Sequence, residues 1–302
     1  LIALGSTMVY GIAKMLNFAH GDIIMVGAYM IYTICTFTLN IGSLPLWVCA
    51  VISFVVAMIV STVLGIVIEK VAYKPLRGAS PLAALITAIG VSYLLQGVAQ
   101  LIWGADQRTV SILDKLGNVR IGEYLIKWSS IITLVLGAII MIALTLFVKK
   151  SRTGRAMLAV SEDKGAAQMM GINVNKIISI TFAIGSALAT FAAIFYLPKT
   201  ALSPTLGSMP GIKAFAAAVI GGIGSIPGAM LGGVLLGVVE VVCNSIPGLS
   251  SFTTAIEFAL LIVILMVRPI GLLGKKRMVK VSYGAVIKNK DHPHFQKCPV
   301  EE

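Results

Sequence analysis

The stretch "GGIGSIPGAMLGG", Gly221–Gly233, decides how the second half of the chain is read. Its glycines invite comparison with phosphate-binding loops, and the comparison fails in detail. A dinucleotide fingerprint, G-x-G-x-x-G, needs a third glycine where Pro227 follows Gly222 and Gly224. A P-loop needs Gly-Lys followed by Ser or Thr, whereas Gly274-Lys275 is followed by Lys276. No nucleotide site is legible here, so the glycines must serve backbone geometry or packing.

Composition supplies the setting. Of the 302 residues, 58% are hydrophobic and only 12% charged, against roughly 25% charged in soluble domains. Apolar segments fall near 1–13, 22–39, 44–69, 82–104, 128–148, 177–197, 213–223, 228–246 and 252–267. Most match the ~20 residues a helix needs to cross a bilayer. The reading is an all-α polytopic membrane protein with about eight spans. The net charge of +12 then reflects basic loops on one face of a membrane and not a nucleic-acid partner. Cys35, Cys49 and Cys243 lie in apolar runs and Cys298 in the tail, which argues for buried thiols over a disulfide framework.

Basic residues orient the spans. Lys70, Lys74 and Arg77 fill one connection, and Lys149, Lys150, Arg152, Arg155, Lys164 and Lys176 another. Arg268, Lys275, Lys276, Arg277 and Lys280 follow the last span. Counting spans puts all three groups, and with them the C-terminus, on the cytoplasmic side. Parity then constrains the glycine-rich stretch. Only Lys213 to Ile223 remain to bring the chain inward before the next span, and ~11 helical residues cover about 16 Å. The expectation is a broken or re-entrant helix near 213–228, with a half-helix over 213–223, an unwound turn at 224–226 and a new helix begun by Pro227. Gly221, Gly222, Gly224, Pro227, Gly228 and Gly232 carry that break. The four-residue spacings of Gly224, Gly228 and Gly232, and of Gly233 and Gly237, suit close helix packing.

One connection is more than a linker. In "KKSRTGRAMLAVSEDKGAAQMMGINVNK", Lys149–Lys176, charge keeps the chain out of lipid while helix signals persist. Ser161 is a good N-cap, Glu162 and Asp163 suit a first turn, and Gly171 suits a stop. The predicted helix of ~9 residues is too short to span. Gly165, Ala166 and Ala167 give it a smooth face, and Met169 and Met170 an adaptable apolar tip. Such a helix either docks into a partner's groove or folds against its own protein.

"SEDKGAAQMMGIN" resembles the coupling loop of ABC-importer permeases. "TMVYGIAKMLNFAHGDIIMVGAY", Thr7–Tyr29, together with "GIKAFAAAVIGGIGSIPGAMLGG" and "RPIGLLG", is similar to the H-type permease of high-affinity branched-chain amino-acid importers. The resemblance covers about residues 1–280, the expected transmembrane permease domain. It implies alternating access in a dimer with a second permease subunit, identical or related. It also implies two P-loop ATPase subunits that carry the ATP and Mg, and an extracytoplasmic amino-acid-binding protein. This chain itself would hold no cofactor, perform no catalysis and sit in a bacterial or archaeal plasma membrane. Urea and short-amide permeases share the "NFAHG" element and stay open as alternatives. An ion-coupled carrier is a further alternative, and it leaves the 161–171 helix unexplained. The start at Leu1, inside an apolar segment, is read as a truncated first helix. The tail 281–302, with His292, His294 and Cys298 but no second cysteine, is expected to be disordered and metal-free.

Five polar residues remain as candidates for the translocation path or its gate. Asn17, His20 and Asp22 fall at the start of the second span, near the cytoplasmic face, where helix capping is the plainer role. Glu240 and Glu257 sit inside apolar runs in the outer half of the bilayer. There an ionisable group needs a partner: Lys213, or the amino group of a solute.

Overall fold

A chain this apolar satisfies its backbone by helix formation, whatever the propensities of its residues in water. The sequence "LWVCAVISFVVAMIVSTVLGIVI" is rich in β-branched residues, yet it is one unbroken helix. The computed structural model describes residues 1–14, 17–41, 45–108, 118–121, 124–197, 201–222 and 224–274. Lys199, Ile223 and 275–302, including the expected tail, lie outside these residues.

The helices in chain order are α1 (Ile2–Ala13), α2 (Ala19–Ile41), α3 (Leu46–Ile68) and α4 (Pro81–Trp103). There follow α5 (Trp128–Lys150), α6 (Arg152–Glu162), α7 (Lys164–Met169) and α8 (Val174–Tyr196). The last three are α9 (Ser208–Gly221), α10 (Ile226–Ser245) and α11 (Thr253–Val267). Seven of them are long and apolar enough to cross a membrane, and the shorter α1 and α9 complete the apolar set. Among the described residues, the one departure from helix in the order of elements is a hairpin, β1 (Asn118–Ile121) antiparallel to β2 (Tyr124–Lys127).

Helix α8 forms the axis of the core and packs against α1, α2 and α3. Its contact surface is small and polar-neutral. A Cβ on Gly65 of α3 would run into Ser186, and one on Gly27 of α2 would lie 3.1 Å from Thr190. The hydroxyls of Thr181 and Ser186 donate to carbonyls one turn back, at 2.8 Å each, so neither of these two donors is left bare.

Helices α9 and α10 form an antiparallel pair. A Cβ at Gly228 would strike the Gly221 carbonyl, and one at Gly232 the Ala217 carbonyl, so these glycines set the packing distance. Gly237 meets nothing within 4 Å, and Gly233 meets only the Ala3 side chain at 3.9 Å, so the second glycine pair does not serve this contact. The break itself is displaced from expectation. Helix α9 starts at Ser208 and ends at Gly221, with Gly222 at φ 101° beyond it, and α10 begins at Ile226 with Pro227 second. Ser225 caps α10 by accepting from the Gly228 N–H at 3.2 Å.

The depth of the break also differs. Gly11, near the end of α1, abuts Gly224. Lys164 of α7 donates to the Ala13 carbonyl at 3.0 Å at that same end of the bundle. The break therefore lies at the end carrying the basic connections, not halfway across. The end of α9 that falls at depth is its start. Leu202 pairs with Arg108 just beyond α4, whose Trp103 bonds Thr33 of α2 at 2.7 Å. Gly207 meets Gly21 and the Asp22 N–H in the first turn of α2. From Thr33 back to Gly21 is about 18 Å of helix, more than half a hydrocarbon core. Residues 202–207 make that descent, with Leu202, Pro204, Leu206 and Gly207 buried, as non-helical backbone at membrane depth requires.

The segment after α11 returns to the break. Leu272 N–H donates to the Ile220 carbonyl at 2.8 Å and Leu273 N–H to the Gly221 carbonyl at 3.0 Å. These bonds satisfy carbonyls that the end of α9 would otherwise leave unpaired. The "RPIGLLG" motif is thus a backbone cap for the broken helix.

Candidate functional site

The connection between α5 and α8 folds as two helices. Ser151 caps α6 through a 2.8 Å bond from Gly154 N–H. Asp163 caps α7, its Oδ1 accepting from Gly165 N–H at 2.8 Å and Ala166 N–H at 3.1 Å. Ser161 is not the cap. It lies inside α6 and donates to the Leu158 carbonyl at 2.7 Å, and Glu162 ends that helix and does not open the next. Of two candidate caps two residues apart, the carboxylate that reaches two N–H groups wins. Gly171 has φ 78°, as a helix stop after Met170 requires. Gly165 and Ala166 are exposed, but Ala167 turns inward, so the smooth face is narrower than the sequence suggested. Met169 and Met170 are 90% and 82% exposed.

This segment is tied to the membrane helices at two points. The first is Lys164 on the Ala13 carbonyl. Burial, with Lys14 and Arg77 nearby, lowers the Lys164 pKa from its ordinary value. The second is a network at the start of α8. Arg77 pairs with the fully buried Glu69 and donates to Asn175, while Ser179 donates to the other Glu69 oxygen.

The first turn of α2 meets the start of α9 at depth, and that meeting moves Asn17, His20 and Asp22 away from the membrane face expected for them. Asp22 is 1% exposed, and its Oδ1 accepts from Gln96 Nε2 at 3.0 Å. Gln96 is the sixteenth of 23 residues in α4 and also reaches Ser208 Oγ at 3.0 Å and Ser92 Oγ at 3.2 Å. His20 is packed against Gly5 and Gly185, the latter the twelfth of 23 residues in α8. Its polar neighbour is the Ile2 backbone, at a geometry short of a hydrogen bond. Asn17 accepts from the Tyr73 hydroxyl at 2.8 Å and lines a crevice with Ser6, Tyr10, Phe18, Gly211 and Phe215.

Residues 1–265 match the family described as branched-chain amino acid transport system / permease component. The chain belongs to this family. It is 43% identical over 289 residues to the high-affinity branched-chain amino acid transport system permease protein BraD of Pseudomonas aeruginosa, covering 93% of each chain. It is 41% identical over 295 residues to LivH of Salmonella typhimurium and 40% identical over 291 residues to LivH of Escherichia coli. Each of those alignments covers 93% of this chain and 92% of the relative. No solved structure matches. The chain is a multi-pass membrane permease component of a transport system.

Within this permease, Glu240 and Glu257 are brought together by Lys213. The ammonium donates to Glu240 Oε1 at 2.8 Å and to Glu257 Oε1 at 3.2 Å, joining α9, α10 and α11. Cys35, Cys49 and Cys243 are buried thiols, as expected. No metal-binding group of His, Cys, Asp and Glu occurs among the described residues. Gln96 and Ser208 escaped sequence reading, because a single polar residue in an apolar helix shows no periodic signal. The Leu272 and Leu273 bonds escaped it because backbone groups carry no sequence signature.

Proposed function

We propose that the permease is the membrane-spanning subunit of an ATP-driven importer that moves branched-chain amino acids into the cytoplasm by alternating access. The observation that carries this reading is α7, a capped helix outside the spans whose Met169 and Met170 are almost wholly exposed. Large apolar side chains held out of both lipid and core suit a groove on a partner protein. The relatives' names supply the solute class. The partners are a second permease subunit, identical or related, two P-loop ATPases that hold ATP and Mg, and an extracytoplasmic amino-acid-binding protein. The basic end of the bundle, with the C-terminus, faces the cytoplasm of a bacterial or archaeal cell. No covalent chemistry is assigned to the chain.

The stroke reaches the spans through α1. Closure of the ATPases displaces α7, Lys164 carries that displacement to the end of α1, and Gly11 passes it to the break at Gly224. Helix α9 then moves relative to α2.

The test is a mild-detergent affinity purification from native membranes, with every co-purifying chain identified. The control carries Ala166→Trp and Met169→Asp, both at exposed positions. Recovery of a P-loop ATPase with the native chain and its loss from the folded control support the reading. A folded native complex without any ATPase would sink it.

A further inference from the structure

Buried polar atoms normally find hydrogen-bond partners, and a cluster of exceptions asks for an occupant. Among the described residues, nine buried side-chain nitrogens and oxygens have none, and five of them lie on Asn17, His20, Asp22 and Tyr29. Asn17, His20 and Asp22 belong to the segment that enters the bundle interior and starts α2 there, and Tyr29 lies two turns further along α2. Asp22 is the sharpest case. It is 1% exposed, its Oδ2 accepts no hydrogen bond although the Ser92 hydroxyl stands beside the carboxylate at a geometry short of one, and no lysine or arginine pairs with it among the described residues. Contrast Glu240 and Glu257, whose charges are met by Lys213. A lone carboxylate at membrane depth is costly and is kept where it handles a charged or polar solute.

Resting on the amino-acid importer reading, we infer that Asp22 Oδ2 receives the α-ammonium of the solute where the first turn of α2 meets the start of α9. The surroundings suit that task. Gln96 holds the other carboxylate oxygen and fixes the rotamer. Tyr73, an electrostatic neighbour of Asp22, holds Asn17 Oδ1, which leaves Asn17 Nδ2 as a donor for the solute's carboxylate. Helix starts that converge at membrane depth are also where transporters of other folds place solute.

The seam beside Asp22 can open. Gly21 packs on Gly207 and Gly211 backbone to backbone, and a Cβ at Gly21 or Gly207 would collide with the facing carbonyl. No side chain interdigitates at these glycines, so α2 and α9 separate there without withdrawing one. An ammonium is required of the solute, which excludes urea and neutral amides.

The test uses the complete transporter, with its ATPases and binding protein, reconstituted in vesicles. Asp22→Asn keeps an acceptor for Gln96 and removes the charge. Uptake of labelled leucine per ATP hydrolysed should fall at least about tenfold, the scale of one lost charge-assisted hydrogen bond. Assembly and ATPase stimulation by the loaded binding protein should persist, and Asp22→Glu should recover part of the uptake. Native uptake per ATP in Asp22→Asn would overturn the inference. So would failure of that variant to assemble, which would make the carboxylate structural, or urea carried by the native transporter at a rate comparable to leucine. A native complex that assembles but carries no leucine would instead defeat the importer reading itself.

Discussion

At the residue scale, the ion cluster on Lys213 separates two carboxylates that look alike in sequence. Glu257 is buried and Glu240 has a 44% exposed side chain, yet both depend on one ammonium. Replacing Lys213 by Met would leave a buried carboxylate uncompensated, a loss of about 3–5 kcal/mol in soluble proteins. The expected result is a lower melting temperature in detergent for Lys213→Met than for Glu240→Gln, measured on the same purified complex. Equal stability of the two would show that Glu257 has another partner. The need for a counter-charge was legible from Glu240 and Glu257 alone, and Lys213 could be named. That one lysine serves both could not, since it depends on how α10 and α11 turn about their axes.

At the scale of elements, the α9–α10 pair and the α7–α1 tie make separate predictions. Gly232→Leu puts a side chain where the Ala217 carbonyl stands, whereas Gly237→Leu meets open space. Overpacking of this kind costs about 1–3 kcal/mol or more. Size-exclusion profiles should show aggregated protein for Gly232→Leu and a folded chain for Gly237→Leu. Lys164→Met removes the bond to the Ala13 carbonyl without touching the exposed methionines. ATPase subunits should still co-purify with this variant while solute uptake per ATP falls. Unchanged coupling would remove α1 from the transmission route. The existence of a short helix outside the spans was legible from the segment's charge, caps and length. Its division at Asp163 was not, because Ser161 and Asp163 are both acceptable caps and only the three-dimensional reach to Gly165 and Ala166 decides between them.

At the scale of the whole molecule, the bundle has a basic end and a distant polar junction, joined by α1 and α9. The basic end gathers Lys14, Lys164, Arg77 and the break at Gly222–Ser225, and the junction gathers Asp22, Gln96 and Ser208. On the proposed importer reading, work delivered at the basic end has to alter the junction for transport to occur. Cross-linking, with a short thiol-reactive linker, a cysteine pair placed at Phe18 and Phe215, whose rings lie 6.1 Å apart where the entry to α2 faces α9, should stop uptake relative to the same variant before cross-linking while leaving ATPase binding intact. Continued uptake in the cross-linked transporter would mean that α2 and α9 do not part.

Local hydropathy determined the membrane class, the approximate positions of the spans and the end at which basic residues collect. It could do so because crossing a bilayer is a condition each segment meets alone. Glycine and proline likewise marked the break between α9 and α10, since their backbone limits are local. Depth was decided by the tertiary structure. A helix start such as Ala19 or Ser208 reads the same at a membrane face and at mid-bundle. Only contacts between Asp22 and Gln96, or Gly21 and Gly207, residues 74 and 186 positions apart, fix where it lies.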